Sequence, residues 1–136
     1  MILKIDTTIA NTIKITLLQG EKIFLTKEIF APRSQSENLL PTVINALAEA
    51  KITWSGLSCI AVVVDGGSFT SLRIGVLTAN ALAYATNLPL QAISANGEDV
   101  SKDNLKKFLD YKIAVPEYNT EPNIGKSKKA SKQIPN

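Results

Sequence analysis

The sequence predicts an α/β fold in which a three-stranded antiparallel meander is followed by helix, strand, helix and strand, giving a mixed five-stranded sheet with helices. Two observations carry this. Three short stretches of period-two alternation open the chain, separated by tight turn signals. Two helical patterns then alternate with two strand patterns, and one of those strands is apolar throughout.

Ile2–Thr7 sets Ile2 and Lys4 on one face against Leu3 and Ile5 on the other. Thr12–Leu18 sets Ile13, Ile15 and Leu17 against Thr12, Lys14 and Thr16. Lys22–Phe30 places Ile23, Leu25 and Ile29 out of phase with Lys22. Asn11 and Gln19-Gly20-Glu21 are the turns, and connections this short join antiparallel neighbours.

Ser34-Gln35-Ser36-Glu37 reads as a capping box, with Ser34 accepting from an early backbone N–H and Glu37 reaching back. Leu39, Leu40, Val43, Ile44, Leu47 and Ala50 then recur at helical spacing. Pro41 falls inside this helix, removes a bond to the Glu37 carbonyl and should bend the axis. Ile52–Ser58 is a connection whose lone Trp54 is expected to plug the core. Cys59–Val64 is the continuous apolar strand, ending at Asp65, and Gly66-Gly67-Ser68 turns the chain. A second helix is expected from about Thr70 to Thr86, stopped by Asn87-Leu88-Pro89, with Leu90–Ser94 returning as a strand. Ser101–Tyr111 has the pattern of a short amphipathic helix carrying Leu105, Phe108 and Leu109 on one side. From Asn119 only Ile124, Ala130 and Ile134 are apolar among the last 18 residues, too few for a core. The expected organisation is a lobe over 1–96, a short helical or extended remnant over 97–118 and a basic, disordered tail over 119–136.

The chain has 136 residues, a mass of 14.7 kDa, 45% hydrophobic and 20% charged residues, which fits one domain with a real core. The single cysteine, Cys59, excludes an internal disulfide and suits a reducing cytosol, so a cytoplasmic location is expected. The chain has no histidine, which excludes histidine-based triads and histidine metal sites, and no metal is expected. Met1-Ile2-Leu3 runs directly into Lys4 and Asp6, so no signal peptide is expected, and no apolar run reaches membrane-spanning length. Residues 1–100 hold 7 Lys/Arg and 8 Asp/Glu, whereas residues 101–136 hold 8 Lys and 4 Asp/Glu. A basic end of this kind either solubilises the chain or attracts RNA phosphates without reading sequence.

Three features could carry chemistry. Asp65-Gly66-Gly67-Ser68, between a buried strand and a helix, resembles an acidic-Gly-Gly-hydroxyl phosphate loop, and a plain turn needing glycine explains it equally well. Asp6-Thr7-Thr8 ends the first strand, where actin-like phosphotransferases hold magnesium and phosphate. It lacks the glycine that lets a hairpin approach phosphates, and an Asp bonding its own turn is the alternative. The second helix carries two apolar stripes, Leu72, Gly75, Val76, Ala79, Leu82, Ala83 and Thr86, then Ile74, Leu77, Ala81, Tyr84 and Ala85. A helix on one side of a sheet needs a single stripe, so the surplus meets another helix or the chain's own C-terminal segment.

Gly67-Ser68-Phe69-Thr70-Ser71-Leu72-Arg73-Ile74-Gly75 resembles the signature Gly-Pro-Gly-Ser-Phe-Thr-Gly-Leu-Arg-Ile-Gly of the TsaB (YeaZ) family. Ser36-Glu37-Asn38-Leu39-Leu40-Pro41 is similar to that family's His-Ser-Glu-x-Leu-Leu-Pro helix, its internal proline included. Leu3-Lys4-Ile5-Asp6-Thr7-Thr8, Asn87-Leu88-Pro89-Leu90 and Ile93-Ser94 also fit, so the resemblance covers about residues 1–96. Asp65 and Gly66 stand where the family has Gly-Pro, Ser71 where it has glycine, and Gln35 where it has histidine. Family members are longer, with a second lobe similar to the first. Pro116-Glu117-Tyr118 with Pro122-Asn123-Ile124 looks like the family's closing Pro-x-Tyr tail. An internally shortened form that keeps the tail and a degenerate paralogue both fit this pattern.

The resemblance implies one lobe of the actin-like ATPase (ribonuclease H-like) fold and a non-catalytic scaffold subunit of the machinery that makes threonylcarbamoyladenosine in tRNA. It implies a helix-pair contact with a TsaD-like catalytic subunit, a TsaE-like ATPase in the same complex and an adenylate intermediate supplied by TsaC. It further implies tRNA as an indirect partner and no cofactor; no membrane is expected, and the exposed helix pair should self-associate as a homodimer when the chain is alone. Contact candidates are Leu39, Leu40, Val43 and Leu47 on the first helix, and Val76, Ala79, Asn80 and Ala83 on the second. Arg73 is expected to order its loop or reach acidic groups of the partner. The competing reading is an ATP-binding phosphotransferase or ATPase remnant, with Asp6, Thr7, Thr8, Asp65, Gly66 and Gly67 around nucleotide and the two aspartates holding magnesium. One lobe supplies only half of the cleft such enzymes close.

Overall fold

Period-two alternation folds as expected in the structure, a computed structural model that describes residues 1–96. Strands β1 (Ile2–Asp6), β2 (Thr12–Gln19) and β3 (Lys22–Phe30) form the antiparallel meander. Helix α1 (Gln35–Ala50), strand β4 (Cys59–Val63), helix α2 (Phe69–Thr86) and strand β5 (Leu90–Ile93) follow. The sheet order is β3-β2-β1-β4-β5, with β4 parallel to both β1 and β5. Asn11 and Gly20 take positive φ at the two hairpin turns. The meander carries one irregularity, where Leu17 and Leu18 face Leu25 and Ile23, so that Phe24 is the extra residue of a bulge. Expectations for residues 97–118 and 119–136 lie outside the described residues.

Both helices lie on the same face of the sheet. There Leu3, Ile5, Ile15, Leu17, Ile60 and Val62 meet Leu39, Val43 and Leu47 of α1 and Val76, Ala79 and Ala83 of α2. On the opposite face Ile2, Cys59, Ala61, Val63 and Ile93 form a second buried cluster. β4 is therefore buried on both faces, which its unbroken apolar run requires. Trp54 sits in a single 3-10 turn, Trp54–Gly56, half-buried against the first cluster.

The capping box does not form. Ser34 occupies the N-cap of α1, but its side chain caps nothing, and its carbonyl instead accepts from the Asn38 backbone N–H (3.1 Å) and side-chain amide (2.9 Å). Gln35, the residue after the cap, is drawn inward by other partners and sets the start of the helix. Pro41 does lie within α1, on its exposed side with Glu37, where water can take the carbonyl left without a helical donor. Helix α2 begins one residue before the expected start, because Ser68 caps it by accepting from the Ser71 N–H at 3.1 Å.

Cys59 is fully buried, and burial pushes its thiol from an ordinary 9.0 up to about 12, with the N-terminal charge acting weakly in the other direction. The unfolded chain loses this proton near pH 9 and the folded chain keeps it, so stability falls as pH rises from about 9 toward 12. Thiol titration with an aromatic disulfide should accordingly find no reactive sulfur at pH 8 until denaturant unfolds the chain. Gln91, 1% exposed on β5, has neither amide atom hydrogen-bonded. Gln91→Met, which keeps the shape and removes the orphaned amide, should stabilise the chain by about 1 kcal/mol in urea unfolding.

Candidate functional site

The ends of β1 and β4 and the start of α2 come together at one edge of the molecule, because β1 and β4 are adjacent and parallel. This edge holds every residue of the expected nucleotide site. Thr7, 1% exposed, donates from Oγ1 to the Ser71 carbonyl at 2.6 Å. Ser71 Oγ donates to Gln35 Oε1 at 3.0 Å. Gln35 Nε2 donates to the carbonyls of Thr12 (2.7 Å) and Thr7 (3.4 Å). One buried amide thus joins the β1–β2 turn to the first turns of both helices. Gln35 and Ser71, two of the positions where this chain departs from the resembling pattern, are direct partners.

The acidic candidates are engaged locally. Asp6 Oδ1 accepts from the Thr8 N–H (2.8 Å) and Thr8 Oγ1 (2.6 Å), closing a turn on itself. Asp65 accepts from the Ala95 N–H at 2.6 Å and from Ser94 Oγ at 3.2 Å, which ties the end of β4 to the end of β5. Among the described residues no group of three acidic, cysteine or histidine side chains is placed to hold a metal ion.

The glycines serve close packing. A Cβ on Gly67 would lie 2.8 Å from Thr8 Cα, and one on Gly75 would lie 2.6 Å from Thr7 Oγ1. Gly66 takes φ +91°, and a Cβ there would meet Ala95 Cβ at 2.6 Å. The Ser71 N–H, the donor that an anion at the start of α2 would seek, is already taken by Ser68.

The second candidate surface is the outer side of the helix pair. Of the nine expected contact residues, Leu39, Val43, Leu47, Val76, Ala79 and Ala83 are 0–4% exposed inside the chain's own core and offer no surface. They belong to the stripe that covers the sheet, and periodicity alone does not say which of two stripes turns inward. Leu40 is exposed, Asn80 is half-buried, and Arg73 is exposed with its guanidinium 5.3 Å from the Phe69 ring centre. The outward apolar residues are Leu40 (42% exposed) and Ile44 (49%) on α1, with Leu77 (63%) and Tyr84 (92%) on α2. Ile44 was part of the helical pattern, and Leu77 and Tyr84 were in the second stripe of α2; the surplus stripe was the signal that could have found them.

The sequence model of the TsaD family, tRNA N6-adenosine threonylcarbamoyltransferase, matches residues 28–96, half of the chain. The chain belongs to this family. Its relatives make it a TsaB-type (YeaZ-type) member. The tRNA threonylcarbamoyladenosine biosynthesis protein TsaB of Bacillus subtilis is 32% identical over 94 residues, spanning 69% of this chain and 41% of that protein. The tRNA N6-adenosine threonylcarbamoyltransferase of Moorella thermoacetica is 40% identical over 60 residues, 44% of this chain and 18% of that enzyme. The solved structure of YeaZ from Pseudomonas aeruginosa superposes with a TM-score of 0.62 at 31% identity, covering 68% of this chain and 43% of YeaZ. The fold is accordingly the actin-like one. The chain matches about two fifths of the length of these TsaB-type relatives.

Within this TsaB-type lobe the Thr7–Gly75 contact is a test of the packing account. Gly75→Ala should cost about 1–3 kcal/mol of stability, because the added methyl meets the Thr7 hydroxyl that holds Ser71. In a Thr7→Ala background the same change should cost clearly less, and a double-mutant cycle by urea denaturation measures the difference.

Proposed function

We propose that this TsaB-type chain is a non-catalytic scaffold subunit in tRNA threonylcarbamoyladenosine biosynthesis, docking a TsaD-like catalytic subunit through the outer side of its helix pair. The observation that carries the reading is the exposure of large apolar side chains on two helices that pack side by side. Leu40 and Ile44 are one turn apart on α1, and Leu77 and Tyr84 are seven residues apart on one side of α2. An apolar patch shared by two elements is the usual mark of a contact surface, whereas isolated exposed apolar residues are not. The edge where a nucleotide would bind supports the same reading. One oxygen of Asp6, the Asp65 carboxylate and the Ser71 N–H have partners within the chain, and the glycines are packed against Thr7, Thr8 and Ala95.

A TsaE-like ATPase in the same assembly, self-association through the helix pair in the absence of a partner, and tRNA as a partner reached through the complex belong to this proposal. So does a cytoplasmic setting.

Affinity capture of the TsaD-type protein from the same organism tests it. The wild-type chain should retain that protein, and Leu77→Glu combined with Tyr84→Ala should reduce capture at least roughly tenfold with an unchanged circular dichroism spectrum. Ala79→Glu is unsuitable for this purpose, since Ala79 is fully buried and a charge there would unfold the lobe. Failure of the wild type to capture the protein, or equal capture by the double variant, would overturn the scaffold reading.

A further inference from the structure

We propose that the depression on the sheet face opposite the helices binds a small zwitterion of the α-amino-acid class. The site lies away from the helix pair and does not depend on the scaffold reading. It measures about 170 Å³, space for a molecule of leucine's size, and spans β1, β2 and β3.

The strand register arranges its lining in three rungs. Leu18 lies opposite Ile23 and makes an apolar rung. Lys4, Thr16 and Thr26 make the next, and Lys14, with Asp6 opposite it on β1 and Glu28 opposite it on β3, the third. Strands are about 4.8 Å apart and same-face rungs about 6.8 Å apart, so all three rungs reach one small ligand.

Thr16 sits at the centre, among the residues that line the depression. The other buried hydroxyls, those of Thr7, Thr12, Thr42 and Ser71, each donate a hydrogen bond within the chain. The Thr16 side chain, in a residue only 6% exposed, makes no hydrogen bond to the described residues. Among the described residues neither Lys4 nor Lys14 forms an ion pair, although Asp6 and Glu28 face Lys14 across the strands.

The charges select the ligand. Lys4 beside the Thr16 hydroxyl recruits a carboxylate, while Asp6, Glu28 and the rim residue Glu21 around Lys14 repel a multiply charged anion. Asp6 keeps its second oxygen, Oδ2, for a ligand ammonium, since only Oδ1 is held by Thr8. Leu18 and Ile23 then take a short apolar side chain. A molecule with one carboxylate, one ammonium and a small hydrocarbon group satisfies all three rungs.

The test is titration of the ¹⁵N-labelled full chain with L-leucine, followed by amide shifts of Lys4, Lys14 and Thr16. Saturable shifts are expected in the millimolar range, with binding weakened at least roughly tenfold in Thr16→Val and in Lys4→Gln. The controls 4-methylpentanoate, which lacks the ammonium, and 3-methylbutylamine, which lacks the carboxylate, should each bind at least roughly tenfold more weakly than leucine. No saturation below about 50 mM, equal binding of either control, or unchanged affinity in either variant would overturn the proposal.

Discussion

The Gln35 amide is the constraint on which the rest of the lobe depends. A buried primary amide is costly unless its donors and acceptor are matched, and here Nε2 serves two backbone carbonyls while Oε1 takes the Ser71 hydroxyl. Those partners belong to the β1–β2 turn and to the first turn of α2, and Gln35 itself opens α1. Satisfying one side chain therefore fixes two helix starts against one hairpin. Thr7 closes the loop by bonding the Ser71 carbonyl, so the network has no loose end at this edge.

That fixing has a consequence at the other side of the helices. α1 and α2 each have one stripe to give to the sheet, and the sheet takes Leu39, Val43 and Leu47 from one and Val76, Ala79 and Ala83 from the other. With both starts pinned and both stripes seated, the rotation of each helix about its own axis is determined. The outward residues Leu40, Ile44, Leu77 and Tyr84 are then presented in a set arrangement and not as a fluctuating surface. In the docking role proposed for it, such a face would lose little conformational entropy, because its order is already supplied by the core beneath it.

The fold was legible in the sequence because each strand declared its environment: alternation in β2, charge mixed with apolar residues in the exposed edge strand β3, and an unbroken apolar run in β4. The order of elements followed from turn residues such as Asn11, Gly20 and Pro89. The local chemistry was less legible. Ser34 has the residue type and spacing of a capping box, yet a tertiary partner for Gln35 outweighed the local cap. The inward stripe of each helix was also hidden, since Leu39 and Leu40 are indistinguishable by type and adjacent in sequence. Only the sheet beneath decides that Leu39 is at 0% exposure and Leu40 at 42%. The Gln35–Ser71 bond spans 36 positions, and no periodicity reports a contact of that range.

The glycines give the sharpest discrimination between the two readings of the β4–α2 turn. A phosphate cradle needs glycine so that backbone N–H groups can converge on an anion, and it leaves those groups without partners inside the protein. A packing turn needs glycine because another part of the chain stands where Cβ would be. Gly67 has Thr8 there, Gly75 has Thr7 Oγ1, and Gly66 has Ala95. The same threonines follow Asp6 in the motif that suggested a second half of the cradle, so each half of the motif occupies the space the other would have reserved for a ligand. Three neighbouring donors are held within the chain: the Thr8 N–H goes to Asp6, the Ser71 N–H to Ser68 and the Ala95 N–H to Asp65. An edge whose glycines are packed against the threonines of the β1–β2 turn and against Ala95 is built for close packing of two strands and two helices, and that packing fixes the apolar face those helices present.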